Sequence, residues 1–481
     1  MNLKAIAKLL PMASLLLIAG CATRPINPPL AHYDPQPLQF ERAGQTAAEK
    51  KNLVILAFSG GGTRAAAFSY GVLEALKRIE ILSPRGEKSR VIDQVDAITG
   101  ISGGSFTALA YGLYGDKIFD IYETAFLKRN VQGELIARSF NPFNWGDLIS
   151  TGWGRSELAA NYYDEILFKG ATFADMAKRK GPMISVSATD ISTGSKLAFS
   201  PSNFDILCAQ LGPFRLARAA AASSAVPVVL SSITINNYGG TCGYELPPWT
   251  KLFTASDDPP RPAARAVKRL RELEDFADGK NRPYIHLVDG GISDNLGLRG
   301  VLDIIEAFEA LQSLGQPTPL DHVDRIIVFI VNSLSTPSTD WDKSETGPGV
   351  FETLIKASGV PIDKYSYEAV EQLRDIEARW KIMNHLKTIM TFPPGNDPTI
   401  AYLRNSPKAK IFAIDVSFRG LKDKAERDYL NQLPTSFVLT DEQVDRLRAA
   451  AAQIIQDSPD VQQLLKDTGA KIVEGPVKPA K

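Results

Sequence analysis

The chain has 481 residues, with 54 basic and 54 acidic side chains and 44% hydrophobic content. That is ample material for one large core, with at most a minor second unit. So balanced a charge excludes the strongly basic footprint of a nucleic-acid binder.

Residues 1–20 read as a signal. Lys4 and Lys8 give a positive start, and "LLPMASLLLIAG" gives an apolar run too short to cross a bilayer comfortably. The run ends in "LIAGC", which resembles the bacterial lipobox. The resemblance implies that Cys21 is acylated, becomes the mature N-terminus and holds the protein in the cell envelope. Ala22 after it favours the outer membrane, facing the periplasm or the exterior. Several acyl chains on one cysteine hold far better than a single myristoyl chain. Removing residues 1–20 takes two lysines and no acid, so the mature chain is slightly acidic. Two further cysteines remain, Cys208 and Cys242. In an oxidising compartment they fit a bridge, and two buried thiols fit the sequence as well.

Residues 21–50, with "RPINPPLAHYDPQPL", are proline-rich and aperiodic and read as a flexible tether. From residue 51 short β-branched runs alternate with helical stretches. Strands are expected at 52–58, 95–99, 183–189, 284–289, 325–332 and 410–416, and helices at 64–78, 104–113, 214–222 and 297–313. This alternation predicts an α/β fold in three layers, a mostly parallel central sheet with helices on both faces. Residues 51–333 form the expected catalytic domain, and 334–481 an extension with one added strand and helices. A charged helical insertion at 255–283 reads as a solvated helix or as a basic flap for anionic headgroups. A loop is expected at 334–348. Thr440 and Gln443 have capping-box spacing, and the helix they open is expected to pack on the sheet's edge.

Three glycine-rich corners carry the chemistry. "GISGG" fits Gly-X-Ser-X-Gly: Gly100, Gly103 and Gly104 permit a strained strand-to-helix turn that lifts the Ser102 oxygen clear. Earlier, "VILAFSGGGTR" places Gly60, Gly61 and Gly62 after a strand, where uncovered backbone amides suit an oxyanion. A phosphate-binding P-loop would need a Gly-Lys-Ser/Thr ending, which is absent. Gly60, Gly62 and Ala65 also satisfy a relaxed dinucleotide fingerprint, with Glu80 at the distance of a ribose ligand. That reading makes the chain a nucleotide-cofactor binder and leaves Ser102 unexplained. The third corner, "YIHLVDGG", delivers Asp289 at the end of a strand, followed by Gly290 and Gly291. Ligands of open α/β sheets bind outside the carboxyl ends of strands.

No histidine is well placed to serve Ser102. His32 precedes the fold, His322 precedes a strand, and His385 sits in a helical stretch. His286 falls on the strand face opposite Asp289. What remains is a two-residue arrangement in which Asp289 takes the serine proton. Partial burial would raise its pKa from the ordinary 3.9 or so. Phe140, Phe143, Trp145 and Trp153 fit either an acyl groove or core packing.

Taken together, "SGGGTR", "GISGG" and "DGG" in this order resemble the patatin-like phospholipases, as do "SATDISTGSKLAFS" and "RAAAASSAVPVVLSS". The resemblance spans roughly 51–333. It implies a lipid acyl hydrolase of phospholipase A or lysophospholipase type acting on membrane phospholipids, with no cofactor and no metal. Carried over, Ser102 is the nucleophile and Asp289 its base. Gly60, Gly61 and Gly62 supply the oxyanion hole, and Arg64 braces that loop. Ser59 departs from the acid usual in plant members and Ala65 from a frequent glycine. A non-catalytic envelope scaffold is the other reading.

Overall fold

The computed structural model describes residues 23–34, 51–82, 88–148, 150, 152–246, 250–251, 264–391 and 397–473. The signal expected at 1–20, Cys21, the rest of the tether over 35–50 and the start of the charged insertion lie outside them.

β1 (Asn52–Phe58) serves two cores at once. Val54, Leu56 and Phe58 are buried on one face and Ile55 on the other, as the period-2 geometry of a central strand requires. The elements that frame the site then run α1 (Gly62–Lys77), β2 (Ile79–Leu82), β3 (Lys88–Arg90), β4 (Val95–Ile101), α2 (Gly103–Tyr114), α3 (Val131–Phe140), α4 (Trp145–Leu148), β5 (Met183–Asp190) and β6 (Lys196–Phe199). After these come α5 (Leu216–Ser223), β7 (Ile233–Asn236), α6 (Ala264–Ala277), β8 (Tyr284–Val288), α7 (Gly291–Asp294), α8 (Arg299–Ser313) and β9 (Arg325–Asn332). α9 (Val350–Ile389), β10 (Lys410–Ser417), α10 (Asp441–Asp457) and β11 (Lys471–Ile472) complete the set.

The main sheet runs β10-β9-β1-β4-β5-β8-β7, with β6 on β5. The pairs from β10 through β5 are all parallel. One face is covered by α1, α2 and α10, whose Phe68, Phe106 and Leu447 share the core of Phe58. The other face is covered by α8 and α9 through Leu302, Ile305, Leu373 and Trp380. This is the three-layer architecture expected from the alternation of elements.

Several features differ from the expectation. β8 is antiparallel, pairing with β5 and β7 in that sense. α10 packs against the edge strand β10, as expected, but lies mainly along α1, where Gly71 lets the Arg448 backbone approach closely. Arg448 clasps Glu74 at 2.7 Å in the same contact. Thr440 and Gln443 do form the reciprocal cap of α10, at 3.2 and 3.0 Å. β11 lies outside the main sheet and pairs with β2, which pairs in turn with β3. α6 is not merely solvated, since its own Val267 and Phe276 are buried.

The tether reading also changes over residues 23–34, which lie on the body of the protein. Leu30 N–H donates to the Cys208 carbonyl at 2.7 Å and Tyr33 N–H to that of Cys242 at 2.9 Å. Cys208 and Cys242 are themselves bridged, their Cα atoms 5.5 Å apart.

Candidate active site

Ser102 sits between β4 and α2 with φ 48° and ψ −120°. A non-glycine residue rarely holds such a conformation, and here its surroundings enforce it. The Ser102 amide donates to Ser223 Oγ at 2.9 Å, and that hydroxyl donates to the Ser187 carbonyl at 2.7 Å. Ser105 returns N–H and hydroxyl bonds to the Ser102 carbonyl at 3.0 and 2.5 Å. The flanking glycines are sites of close approach. A methyl on Gly100 would stand 2.9 Å from Ala108 Cβ, and one on Gly104 2.6 Å from the Ser59 carbonyl oxygen. One on Gly103 would collide with the Gly62 carbonyl.

Asp289 reaches this corner because β8 is antiparallel. Only Thr189 and Asp190 of β5 pair with β8, at Val288 and Leu287. The chain leaving β8 therefore turns back alongside β5, and Gly290 presses on the Ser187 carbonyl in a space that admits no side chain. Ser187 pairs with Ile101 across the sheet, so Asp289 is delivered beside Ser102. The Ser102 hydroxyl donates to Asp289 Oδ2 at 2.8 Å, and Gly291 N–H donates to Oδ1 at 2.7 Å. The backbone of Asp289 is pinned to the Ala225 carbonyl at 2.9 Å, and its own carbonyl accepts from Thr189 Oγ1 at 2.9 Å. Burial pushes the Asp289 carboxyl up to about 6, against the opposing pull of the Gly291 and Ser102 hydrogen bonds.

The glycine loop packs backbone to backbone on the same corner. Gly61 and Gly62 have φ values of 138° and 61°, open only to glycine without strain. The expectation that Gly60 is a third oxyanion donor is corrected here, because its N–H donates to the Asn295 carbonyl at 2.9 Å. Among the described residues, Gly61 and Gly62 are the loop glycines whose amides are given to no other backbone carbonyl. Thr63 N–H donates to the Ser436 carbonyl at 2.8 Å. Arg64 is buried and donates to the Ser333 carbonyl (2.7 Å), the Leu433 carbonyl (2.8 Å) and Thr435 Oγ1 (3.0 Å). Burial pushes its guanidinium down to about 10, with Asp363 pulling the other way.

The remaining expectations sort cleanly. His32, His286, His322 and His385 are all exposed, and His286 Nδ1 pairs with Thr234 Oγ1 at 2.9 Å. Phe140, Phe143 and Trp145 are not core residues, being 75%, 94% and 53% exposed. Trp153 is half-buried. Glu80 belongs to the small sheet, where it pairs with Lys88 at 3.3 Å. The dinucleotide reading thereby loses its ribose ligand. Among the described residues no three His, Cys, Asp or Glu side chains group as a metal site would require, and no helix is long and apolar enough to cross a membrane.

Three positions escaped the sequence reading: Ser223, Asn295 and the segment 433–436. The Ala-Ser block around Ser223 was a visible signal, but only the fold shows which hydroxyl meets the Ser102 amide.

A strained strand–helix corner carrying a serine, a buried aspartate bonded to it and a glycine loop packed beside them are set in a three-layer α/β fold with a mostly parallel sheet. The chain belongs to the patatin-like phospholipase family, whose model matches residues 56–302. Among solved structures it is similar to human GIVD cytosolic phospholipase A2 in complex with methyl gamma-linolenyl fluorophosphonate and terbium chloride. The identity is 14% over 87% of this chain and 59% of the human one, with a TM-score of 0.40. It is also similar to VipD from Legionella pneumophila, at 14% identity over 95% of this chain and 73% of that one, with a TM-score of 0.33. The chain thus spans less than two thirds of the human protein's length. No curated protein matches it in sequence.

Proposed function

We propose that the protein is a lipid acyl hydrolase of phospholipase A or lysophospholipase type, anchored to the cell envelope through Cys21. The observation that carries the reading is the 2.8 Å hydrogen bond from Ser102 to a buried carboxylate with a raised pKa. Asp289 accepts the Ser102 proton as the serine oxygen attacks the ester carbonyl. The Gly61 and Gly62 amides receive the developing oxyanion, each donor worth about 3 kcal/mol in comparable sites. Collapse of the tetrahedral adduct breaks the ester bond, and Asp289 returns the proton to the departing alcohol. Water then attacks the acyl-serine, giving its proton to Asp289; collapse of this second adduct breaks the bond to Ser102 Oγ, Asp289 returns the proton to that oxygen, and the fatty acid leaves.

The anchor reading is supported by "LIAGC" after a short apolar run. The test is covalent labelling of Ser102 by a fluorophosphonate together with release of fatty acid from phospholipid vesicles. A folded protein that neither labels nor hydrolyses would favour the scaffold reading. His286→Gln, His322→Gln and His385→Gln should each keep activity within about tenfold, and a folded histidine variant as inactive as Asp289→Asn would restore a triad.

A further inference from the structure

We propose that residues 23–34 and a rim of exposed apolar side chains beside Ser102 form one face that docks on a phospholipid bilayer, so that the lipid anchor fixes the orientation of the site. The inference deepens the lipid-anchored reading of Cys21 and rests on it.

The N-terminal segment is held on the protein by a built contact. Asn27 exchanges two amide bonds with the Asn236 backbone, at 2.9 and 2.8 Å, standing in for a strand on the free edge of β7. Arg24 donates to the Thr234 carbonyl at 3.3 Å and to Asn236 Oδ1 at 2.5 Å, and its guanidinium lies 5.3 Å from the centre of the Tyr284 ring. Three residues of extended chain span only about 10 Å. An acylated Cys21 is therefore leashed to the place where Arg24 sits.

That place adjoins the apolar rim. The Arg24 side chain lies against Gly152, just after α4, which begins with Trp145. Ser150 Oγ donates to the Gly146 carbonyl at 2.8 Å, closing the turn between them. Three residues beyond Gly152, Arg155 donates to the Val228 carbonyl at 3.0 Å. Val228 and Val229 are 54% and 48% exposed, and Val228 holds a φ of 73°. A β-branched residue in the left-handed region is an outlier that its surroundings must impose. Ala225, three residues earlier, accepts the Asp289 amide. These bonds and the short stretches of chain between them link Arg24, Arg155, Val228 and Asp289, and Phe140, Phe143 and Trp145 are exposed on the segment that leads to Gly152.

Charge favours a bilayer over a second protein as the occupant. Arg155 is exposed beside Val228 and suits an anionic headgroup, while aromatic rings suit the interfacial layer. Acyl chains already inserted within about 10 Å of the same face leave the bilayer as its nearest apolar partner.

The test uses the acylated full-length protein in vesicles of equal parts phosphatidylethanolamine and phosphatidylglycerol. Phe143→Cys is labelled with an environment-sensitive thiol dye, since Cys21 is acylated and Cys208 and Cys242 are bridged. Leu314→Cys is the control, exposed at the far end of α8, roughly 22 Å along that helix. Nitroxide lipids should quench the label at 143 several-fold more than at 314. Phe143→Asp should lower vesicle hydrolysis about tenfold more than hydrolysis of a soluble short-chain ester, the scale of one lost phenylalanine burial. Asn27→Ala, which frees the leash, should lower both the quenching at 143 and the vesicle rate.

Equal quenching at both positions would overturn the proposal, as would self-quenching between copies in place of lipid quenching. An unacylated Cys21 in the mass spectrum would remove it too. Quenching at 143 in a protein without esterase activity would sink the Ser102–Asp289 reading and leave this one standing.

Discussion

The Ser223 hydroxyl accepts a hydrogen bond from the Ser102 amide and donates one to the Ser187 carbonyl, tying the strained corner to β5. The bond holds the backbone of Ser102 where its side chain meets Asp289. Ser223→Ala leaves both the amide and the carbonyl without that partner, a loss of about 1–3 kcal/mol in a buried setting. The expected result is a lower melting temperature and a fall in kcat and in fluorophosphonate labelling rate of about tenfold, with KM nearly unchanged. Ser223→Thr, which keeps the hydroxyl, should recover part of the rate. Labelling of Ser223→Ala at the parental rate would show that the corner holds itself.

Asp289→Asn separates activity from stability. The variant keeps the size of the side chain but has no basic oxygen, so ester hydrolysis should fall about 10²–10⁴-fold. Its stability should move the other way. The folded carboxyl titrates near 6 against an ordinary 3.8, so between those values the native state holds its proton more tightly than the unfolded chain does. Stability from this group is present at low pH and is lost as pH rises through about 6. Urea unfolding at pH 8 should find Asp289→Asn more stable by roughly 1–3 kcal/mol, with the gap closing toward pH 4. In the parent protein kcat/KM should fall with one proton's steepness as pH drops below about 6.

What was legible in the sequence was local. The apolar runs that become β1 and β9 match the strands residue for residue, because central parallel strands are buried on both faces and leave little room for polar residues. The corner at Ser102 was legible through its glycines, whose reason is contact with Phe58, Ser59, Gly62 and Ala108. The sense of β8 was not, since an isolated apolar run carries no mark of direction. Nor could the Gly60 amide be known to bond Asn295, 235 residues away in number but adjacent across the loop. The 40 residues of α9 contain Pro361 and several polar stretches, and its apolar stripe emerges only from Ser366 onward, where it meets the core. The docking of residues 23–34 was hidden because proline-rich segments satisfy their backbone groups one partner at a time, without periodicity.

The bridge between Cys208 and Cys242 holds two ends of that docking surface, since Leu30 and Tyr33 bond the carbonyls of the two cysteines. Alkylation without reduction should leave both thiols unmodified in the mass spectrum. The paired Cys208→Ala, Cys242→Ala variant opens a loop with a sequence separation of 34. The chain-entropy model puts that loss at about 3–4 kcal/mol. Limited proteolysis should then cut within 23–34 at a rate at which the parent stays intact. A variant with the parent's melting temperature and cleavage pattern would show that the bridge adds nothing to the surface.

Arg64 joins the glycine loop to the chain's later half. Its guanidinium meets the Ser333 and Leu433 carbonyls and Thr435 Oγ1, three acceptors in directions that one planar fork reaches and a single ammonium does not. Residues 433–436 in turn carry the Ser436 carbonyl that holds Thr63, one residue beyond the proposed oxyanion donors. Arg64→Lys keeps the charge and loses the fork. If the loop depends on that brace, kcat and labelling rate should fall together by about tenfold or more, approaching the effect of one lost oxyanion donor. KM for a soluble ester should stay nearly constant, because the ground-state ester makes little use of those amides. Circular dichroism should be unchanged. A folded Arg64→Lys protein that labels as fast as its parent would mean that the loop is held by Gly60–Asn295 and Thr63–Ser436 alone.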